Sequence, residues 1–256
     1  MENVMKKLLL MTAVVILFAS AGCNCPCGIF SNNENAESIF AKMQKAIDVS
    51  DKQKTIKSAL IVYDTHLGKK DNSKITLKGK EKGKIRIEIR SGKSIVVKAC
   101  DGKKGWEYTT SKGLRMLNAK EVRELKLEAS YLSPAIKFDK LFARAKLDGS
   151  EKINGVDNWK LICYPHAKFK MSSVTMFVDK KTYLVSKTIE ANSKNEDENI
   201  ITYYGDYEEY NGIVLPFMMV AQAGGRILEF KLISVEWNAK IADSEFAIPK
   251  TFSKSK

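Results

Sequence analysis

Alternation of apolar and polar residues predicts that most of the chain forms antiparallel β-strands. Ile85, Ile87 and Ile89 alternate strictly with charged neighbours, and Ile75 and Leu77 follow the same rule. A period of two describes a strand with one buried face and one wet face. Similar segments recur from residue 56 to residue 237, and we count about eleven strands.

The first predicted strand has apolar residues on both sides. Ile56, Leu60 and Val62 share one side of it, and we expect them to form its apolar face. Ile61 then falls on the otherwise polar face, where it is apolar surface in excess of what a simple core needs.

Two segments have a helical period instead. From Ser38 to Asp48 the apolar residues fall on one helix face, and a second helix begins with Asn118 as its cap and Glu121 three residues later. A further short helical stretch is predicted from Phe138 to Ala145. The two longer helices present these apolar residues: Ile39, Phe40, Met43 and Ile47 in the first, and Val122, Leu125, Ala129 and Leu132 in the second.

The strands are joined by turn sequences and by no long linker. Asn154-Gly155, Asn211-Gly212 and Gly224-Gly225 supply the positive φ angles that tight hairpins need. A wide, half-apolar, twisted sheet must curl, and helices can then cover its concave face. We therefore predict one mostly β (α+β) domain over residues 34–256, an open, incomplete antiparallel β-barrel with helices covering the concave face.

The first 22 residues resemble a bacterial export signal. Lys6 and Lys7 precede an apolar run from Leu8 to Phe18 and then small residues. A run of this length is too short to span a bilayer of roughly 30 Å. We predict a signal peptide over residues 1–22 and an exported mature chain.

Cys23 follows Ser20-Ala21-Gly22, a stretch that resembles the lipobox of bacterial lipoproteins. The usual pattern prefers Leu three places before the cysteine, where this chain has Ser20. We predict that Cys23 is acylated and that residues 23–33 form a lipidated tether. The alternatives are ordinary secretory cleavage, which leaves a plain thiol, or an uncleaved anchor.

The chain is basic, with 43 Lys and Arg against 30 Asp and Glu and a formal net charge of +13. Such a charge can attract nucleic acid, an anionic membrane or an acidic substrate. Export makes nucleic acid an unsuitable partner. Because charge alternates with apolar residues in the strands, we assign the basicity to the wet face of the sheet.

Two other cysteines, Cys100 and Cys163, lie far apart in strand-like segments. They could form a disulfide, which export permits, or remain two buried thiols. A zinc site at Cys25 and Cys27 lacks the further ligands that such a site needs.

The sequence offers no signature of catalysis. Its two histidines, His66 and His166, are far apart, and no zinc pair, nucleophile elbow, phosphate loop or dinucleotide fingerprint occurs. We predict that the protein is not an enzyme, with no catalytic residues, no metal site and no cofactor.

Several segments resemble the outer-membrane lipoprotein-sorting and lipoprotein-carrier family, the LolA/LolB-like superfamily. The similarity covers nearly all of the mature chain, although each motif is structural. The segments are Asp101–Trp106, Asn118–Leu132, Gly149–Trp159, Phe177–Val185, Tyr203–Tyr207, Asn211–Pro216 and Val235–Pro249.

This resemblance implies an incomplete barrel whose apolar cavity receives acyl chains or lipidated proteins. The candidate cavity and lid residues are Phe217 and Met219 together with Ile39, Phe40, Met43, Ile47, Val122, Leu125 and Leu132. The resemblance further implies a lipoprotein in the periplasm, anchored in the outer membrane through Cys23, that acts in lipoprotein sorting or lipid transport. An envelope-stress sensor on the same fold, or a structural lipoprotein with a filled core, are the alternatives.

Overall fold

One antiparallel sheet of thirteen strands forms the body of the protein. The computed structural model describes residues 34–67, 71–132, 141–167, 172–190 and 199–249, without the side chains of residues 71 and 126–132. The strand order is β6-β5-β4-β3-β2-β1-β13-β12-β11-β10-β9-β8-β7. The predicted mostly β fold is confirmed, with thirteen strands in place of about eleven.

The strands are β1 Ser58–Leu67, β2 Asp71–Lys80, β3 Lys84–Ser91, β4 Ser94–Asp101, β5 Gly105–Thr109, β6 Gly113–Met116, β7 Phe142–Ile153, β8 Val156–Pro165, β9 Val174–Asp179, β10 Val185–Glu190, β11 Ile200–Tyr210, β12 Ile213–Ala223 and β13 Arg226–Trp237. The helices are α1 Ala36–Ile47 and α2 Ala119–Leu132. The sheet ends at β6 and β7, which do not pair with each other, so the barrel is open.

Helix α1 shows how strongly the sheet curls. It contacts both β12 and β7, although four strands separate these two in the sheet. In a flat sheet that separation is about 24 Å, whereas a helix with its side chains is only about 10–12 Å across. The sheet must therefore bend around α1, and we call the face that the helices cover the inner face.

Local sequence explains where the helices begin. The Asn118 side chain accepts hydrogen bonds from the N–H groups of Lys120 and Glu121, and the Glu121 carboxylate accepts one from the Asn118 N–H. Asn35 and Ser38 cap α1 in the same reciprocal way. Such capping boxes satisfy N–H groups that the first turn of a helix cannot pair.

Hairpin turns have the expected backbone. Asn154-Gly155, Asn211-Gly212 and Gly224-Gly225 all have positive φ. Within β1–β6 and within β7–β13 consecutive strands are antiparallel, so every second connection in each run lies at the same end of the sheet. We call the end with the start of β1 the proximal end and the opposite one the distal end.

Three sequence-based expectations need correction. In β1 the buried residues include Ala59, Ile61 and Tyr63, whereas Leu60 and Val62 are half-buried, so the assigned faces are reversed. The predicted Phe138–Ala145 helix is wrong over residues 142–145, which form the start of β7 and pair with β8. Strand β6 was not predicted because four residues are too few for a visible alternation.

The long edge strand β7 carries features that discourage pairing with another chain. Its register shifts twice, between Phe142 and Arg144 and between Leu147 and Ser150, and Gly149 has a φ of +94°. Bulges and charged residues are common protections of an exposed sheet edge.

Candidate ligand-binding face

The inner face is a continuous apolar surface that crosses most of the sheet. Period-two alternation places one side of each strand on it, and these residues are largely buried. Its strand residues include Ala59, Ile61, Ile75, Leu77, Ile85, Ile87, Ile89, Leu161, Met176, Val178, Ile213, Leu215, Met219, Leu228, Phe230 and Leu232.

Helix α1 covers the part of this face near the proximal end. Ile39 and Met43 are fully buried and Ile47 is 5% exposed, while Phe40 is half-buried against the same core. The four α1 residues predicted to line a ligand site therefore all contact the inner face. Whether they contact a ligand stays a prediction.

Helix α2 lies close to the other half of the sheet. A side chain on Gly105 would lie 2.9 Å from Val122 Cγ2 and 3.4 Å from the carbonyl oxygen of Ala99, so glycine permits this approach. Leu125 is 1% exposed in the core, and Val122 is half-buried beside it. The side chain of Leu132 lies outside the described residues.

Arg115 connects the start of α2 to the sheet. Its Nε donates to Glu107 Oε2 at 2.6 Å, and its guanidinium donates twice to the Glu121 carboxylate. The hydrogen bonds from Arg115 lower the pKa of Glu121 below its ordinary value. Glu107 is 3% exposed, so this ion pair places charge beneath the first turn of α2.

On β12, both candidate residues pack against the core. Met219 is 2% exposed and lies opposite Tyr204 on one side and Phe230 on the other. Phe217 is half-buried, and the Lys231 Nζ lies 5.3 Å from the centre of its ring.

Polar groups that the sequence pattern did not predict interrupt the apolar surface toward the distal end. The hydroxyl groups of Thr188 and Tyr204 are 3.1 Å apart, and Thr188 pairs with Thr202 across the strands. All three residues are at least nine-tenths buried, and burial raises the pKa of Tyr204 well above its ordinary value. The alternation of Ile200, Thr202 and Tyr204 on one side of β11 is the signal that would have placed them.

Glu190 lies beside this group at the last position of β10, opposite Val174 and Ile200. The residue is half-buried, and desolvation of its carboxyl raises its pKa to about 8. The carboxyl is therefore largely neutral at pH 7. Thr188, Thr202, Tyr204 and Glu190 are called the distal polar group below.

Tyr63 adds a hydroxyl group nearer the centre of the inner face. It is 2% exposed, and its ring meets that of Phe230 edge-on at 6.4 Å. Its Oη has no hydrogen-bond partner among the described residues. An unsatisfied buried hydroxyl costs about 1–3 kcal/mol. Such a group is available to a polar atom of a bound molecule.

Cys100 and Cys163 do not form the possible disulfide in this structure. Both residues are buried thiols, on β4 and β8, and eight strands lie between these two in the sheet. Cys100 Sγ accepts a hydrogen bond from the Gly102 N–H at 3.3 Å, and burial raises the pKa of Cys163. Cys23 and the rest of residues 1–33 lie outside the described residues.

Within the described residues, no group of His, Cys, Asp and Glu side chains is arranged to hold a metal ion. Over the same part of the chain, no helix combines the length and apolar character that crossing a membrane requires.

Comparison with solved structures identifies the fold. Comparison of the sequence with protein-family models finds no match, and comparison with curated proteins finds none either. A LolA superfamily protein from Nitrosomonas europaea superposes with a TM-score of 0.56 at 12% identity, over 84% of this chain and 99% of that chain. The chain has the LolA-like fold.

Two further structures agree with this assignment. An outer membrane lipoprotein-sorting protein domain from Vibrio parahaemolyticus gives a TM-score of 0.53 at 14% identity, over 77% of this chain and 94% of that one. A DUF1329 family protein from Desulfovibrio piger gives 0.54 at 15% identity, over 82% and 97%. At these identities the likeness to LolA-like proteins is one of fold, and residue roles do not transfer.

Proposed function

We propose that the protein is an exported lipoprotein whose inner face binds acyl chains of lipids or of lipidated proteins. It acts in lipoprotein sorting or lipid transport in the cell envelope, anchored through Cys23 in the outer membrane and facing the periplasm. The observation that carries the proposal is an open, curled sheet whose apolar face is covered by two helices rather than by a second sheet.

The chemistry of the inner face supports this ligand class. The core between the sheet and the helices includes three methionines, Met43 of α1 and Met176 and Met219 of the sheet, whose flexible side chains adapt to irregular chains. Burying an acyl chain of about 16 carbons yields on the order of 10 kcal/mol before ordering costs, at about 0.8 kcal/mol per CH₂. Carriage of a lipid therefore needs no covalent chemistry.

The polar groups favour an amphipathic ligand over a plain hydrocarbon. Tyr63 and the distal polar group offer hydroxyls and a neutral carboxyl next to apolar surface. A ligand that lies with its acyl chain toward α1 brings its ester or amide group toward these side chains. The polar part of the ligand then lies at the distal end.

Detection of lipid bound to the purified protein tests the proposal. We expect native mass spectrometry of wild-type protein extracted from membranes to show co-bound lipid. Ala221→Phe, at a fully buried inner-face position, should lose most of it, whereas Gln222→Phe on the opposite side of the same strand should retain it. Ala221→Leu provides a smaller change if the phenylalanine variant does not fold.

Absence of lipid on the wild type would contradict the proposal, as would equal loss in the two phenylalanine variants. The anchor is tested separately with Cys23→Ala, which should release the protein from the membrane fraction. Unchanged fractionation of this variant would argue against acylation at Cys23.

A further inference from the structure

Among the described connections, the lysine-rich ones lie at the proximal end of the sheet. Residues 51–57, 80–84, 101–105 and 179–183 all lie at this end because of the antiparallel order, and together they contain ten lysines and four acidic residues. The other two proximal hairpins, at Asn154-Gly155 and Asn211-Gly212, are uncharged at their tips. The described distal hairpins at 91–94, 109–113 and 223–226 carry one basic residue each.

Two of the acidic residues are engaged with their own turns. Asp101 Oδ1 accepts hydrogen bonds from the N–H groups of Lys103 and Lys104, both at 2.7 Å. Asp179 Oδ1 accepts from the N–H groups of Lys181 and Thr182 in the same way. These carboxylates fix the turns, and the Lys103, Lys104 and Lys181 side chains remain exposed.

Three further lysines of these segments form ion pairs. Asp51 pairs with Lys54, and Lys80 and Lys84 pair with Asp243, which lies in the C-terminal segment that follows β13. Lys52, Lys57 and Lys82 are exposed, and the Glu81 N–H donates to the Lys57 carbonyl, which joins two of the basic segments. Lys84 lies opposite Asp101 in the sheet, which places segment 101–105 next to these two. Segment 179–183 lies at the same end, beyond the Asn211-Gly212 hairpin. The four segments together are called the proximal lysine surface.

The described chain also starts at this end. Glu34, at its first position, contacts Lys42 Nζ, and the Tyr183 hydroxyl donates to its carboxylate at 3.3 Å, beside the basic turn 179–183. Cys23 is 11 residues earlier, so a tether spans at most roughly 36–40 Å. An anchor at Cys23 therefore holds Glu34, at the proximal end, within roughly 40 Å of the bilayer.

We propose that the proximal lysine surface binds the anionic headgroups of the membrane in which the protein is anchored. The inference rests on the proposed lipid anchor for its geometry and adds a second, electrostatic membrane contact. Each lysine held near an anionic bilayer strengthens attachment by about fivefold, and salt screens the effect. This contact turns the distal polar group away from the bilayer.

The reactivity of the lysines in the full lipidated protein, measured on vesicles, tests the inference. The protein is reconstituted into vesicles of phosphatidylcholine alone, or with about one-third phosphatidylglycerol, and is treated briefly with an amine-acetylating reagent. We expect acetylation of Lys103, Lys104 and Lys181 to fall several-fold on the anionic vesicles only, and to recover at high salt. Lys93 and Lys112, exposed at the distal end, should react equally on both.

The triple variant K103Q/K104Q/K181Q should weaken the protection of the neighbouring Lys57 and Lys82, whereas the control variant K93Q/K112Q should not. Equal reactivity of the proximal lysines on both vesicles, or equal protection at both ends, would overturn the inference. Flotation of the protein with neutral vesicles reports the acyl anchor independently, so failure of the anchor and failure of the lysine surface are distinguishable.

Discussion

Leu232 and Ile233 are neighbours on β13 with opposite surroundings. Leu232 is fully buried on the inner face, whereas Ile233 is 45% exposed at a register shift between β13 and β1. Both are large aliphatic residues, so residue type alone cannot explain the difference in their exposure. What distinguishes the two faces is the position of each residue in the pleat of the strand.

The outer face also carries large apolar side chains, but charged groups cover them. Lys187 Nζ lies 5.0 Å from the ring centre of Phe177 and 5.7 Å from that of Tyr203. Trp106 is covered by the C-terminal segment, where its Nε1–H donates to the Phe246 carbonyl at 3.1 Å. The stems and charges of lysine shield apolar surface from water. Helices perform most of that task on the inner face, whose charged residues include the Glu107–Arg115 pair beneath α2.

The largest expected difference between the faces is in stability. Leu232→Ala should lower the free energy of unfolding by about 2–5 kcal/mol because it leaves a cavity in the core. Ile233→Ala should change it by less than about 0.5 kcal/mol. Urea unfolding of the two variants measures both values, and similar losses would refute the assignment of the faces.

A pH-dependent effect is expected at the distal polar group. The pKa of Glu190 is raised to about 8 in the folded chain, so the folded state holds its proton more tightly than the unfolded state. Stability should therefore fall as pH rises from about 4.5 to 8, by at least about 1.4 kcal/mol, the equivalent of one pKa unit.

Glu190→Gln should remove that slope, and Glu151→Gln, at an exposed position of β7, should leave it unchanged. Thermal unfolding between pH 5 and 8 provides the measurement. An identical slope in all three proteins would show that the Glu190 carboxyl is not desolvated.

The smallest effect is expected on the outer face at Asp243. Lys80 and Lys84 donate to its carboxylate, and these hydrogen bonds lower its pKa to about 2. Asp243→Asn should lower Tm by less than about 5 °C near pH 6, because exposed ion pairs contribute little. The difference should disappear as pH falls toward 2, where the carboxylate becomes protonated.

Asp157→Asn, an exposed acid on β8 without an ion pair among the described residues, is the matched control for Asp243→Asn. A large loss of Tm in the Asp243 variant would mean that the C-terminal segment depends on this cluster far more than its exposure indicates.

Local signals in the sequence predicted the regular parts of the fold. The Asn118 cap, the glycine hairpins and the strict alternation in β3 each depend on residues close in the chain, and each is confirmed. The errors occur where pairing with residues distant in sequence determines the secondary structure. Residues 142–145 join β7 because β8 pairs with them, which overrides a weak helical pattern.

The candidate site was only partly predictable for the same reason. The apolar faces of α1 and α2 follow from a 3.6-residue period, and the structure brings both onto one sheet face. In β1 both sides are apolar, so alternation alone could not choose Ile61 over Leu60. The Thr188–Tyr204 hydrogen bond joins two strands and has no signature within either one.

The most direct test of the account locates a bound acyl chain on the protein. A fatty acid with a photoreactive diazirine in its chain is incubated with the purified protein, irradiated, and the labelled peptides are mapped by mass spectrometry. We predict labels on inner-face residues such as Met176, Met219 and Leu232. Labels confined to the exposed Ile227 and Ile233, or no labelling above that of a denatured control, would contradict binding at the inner face.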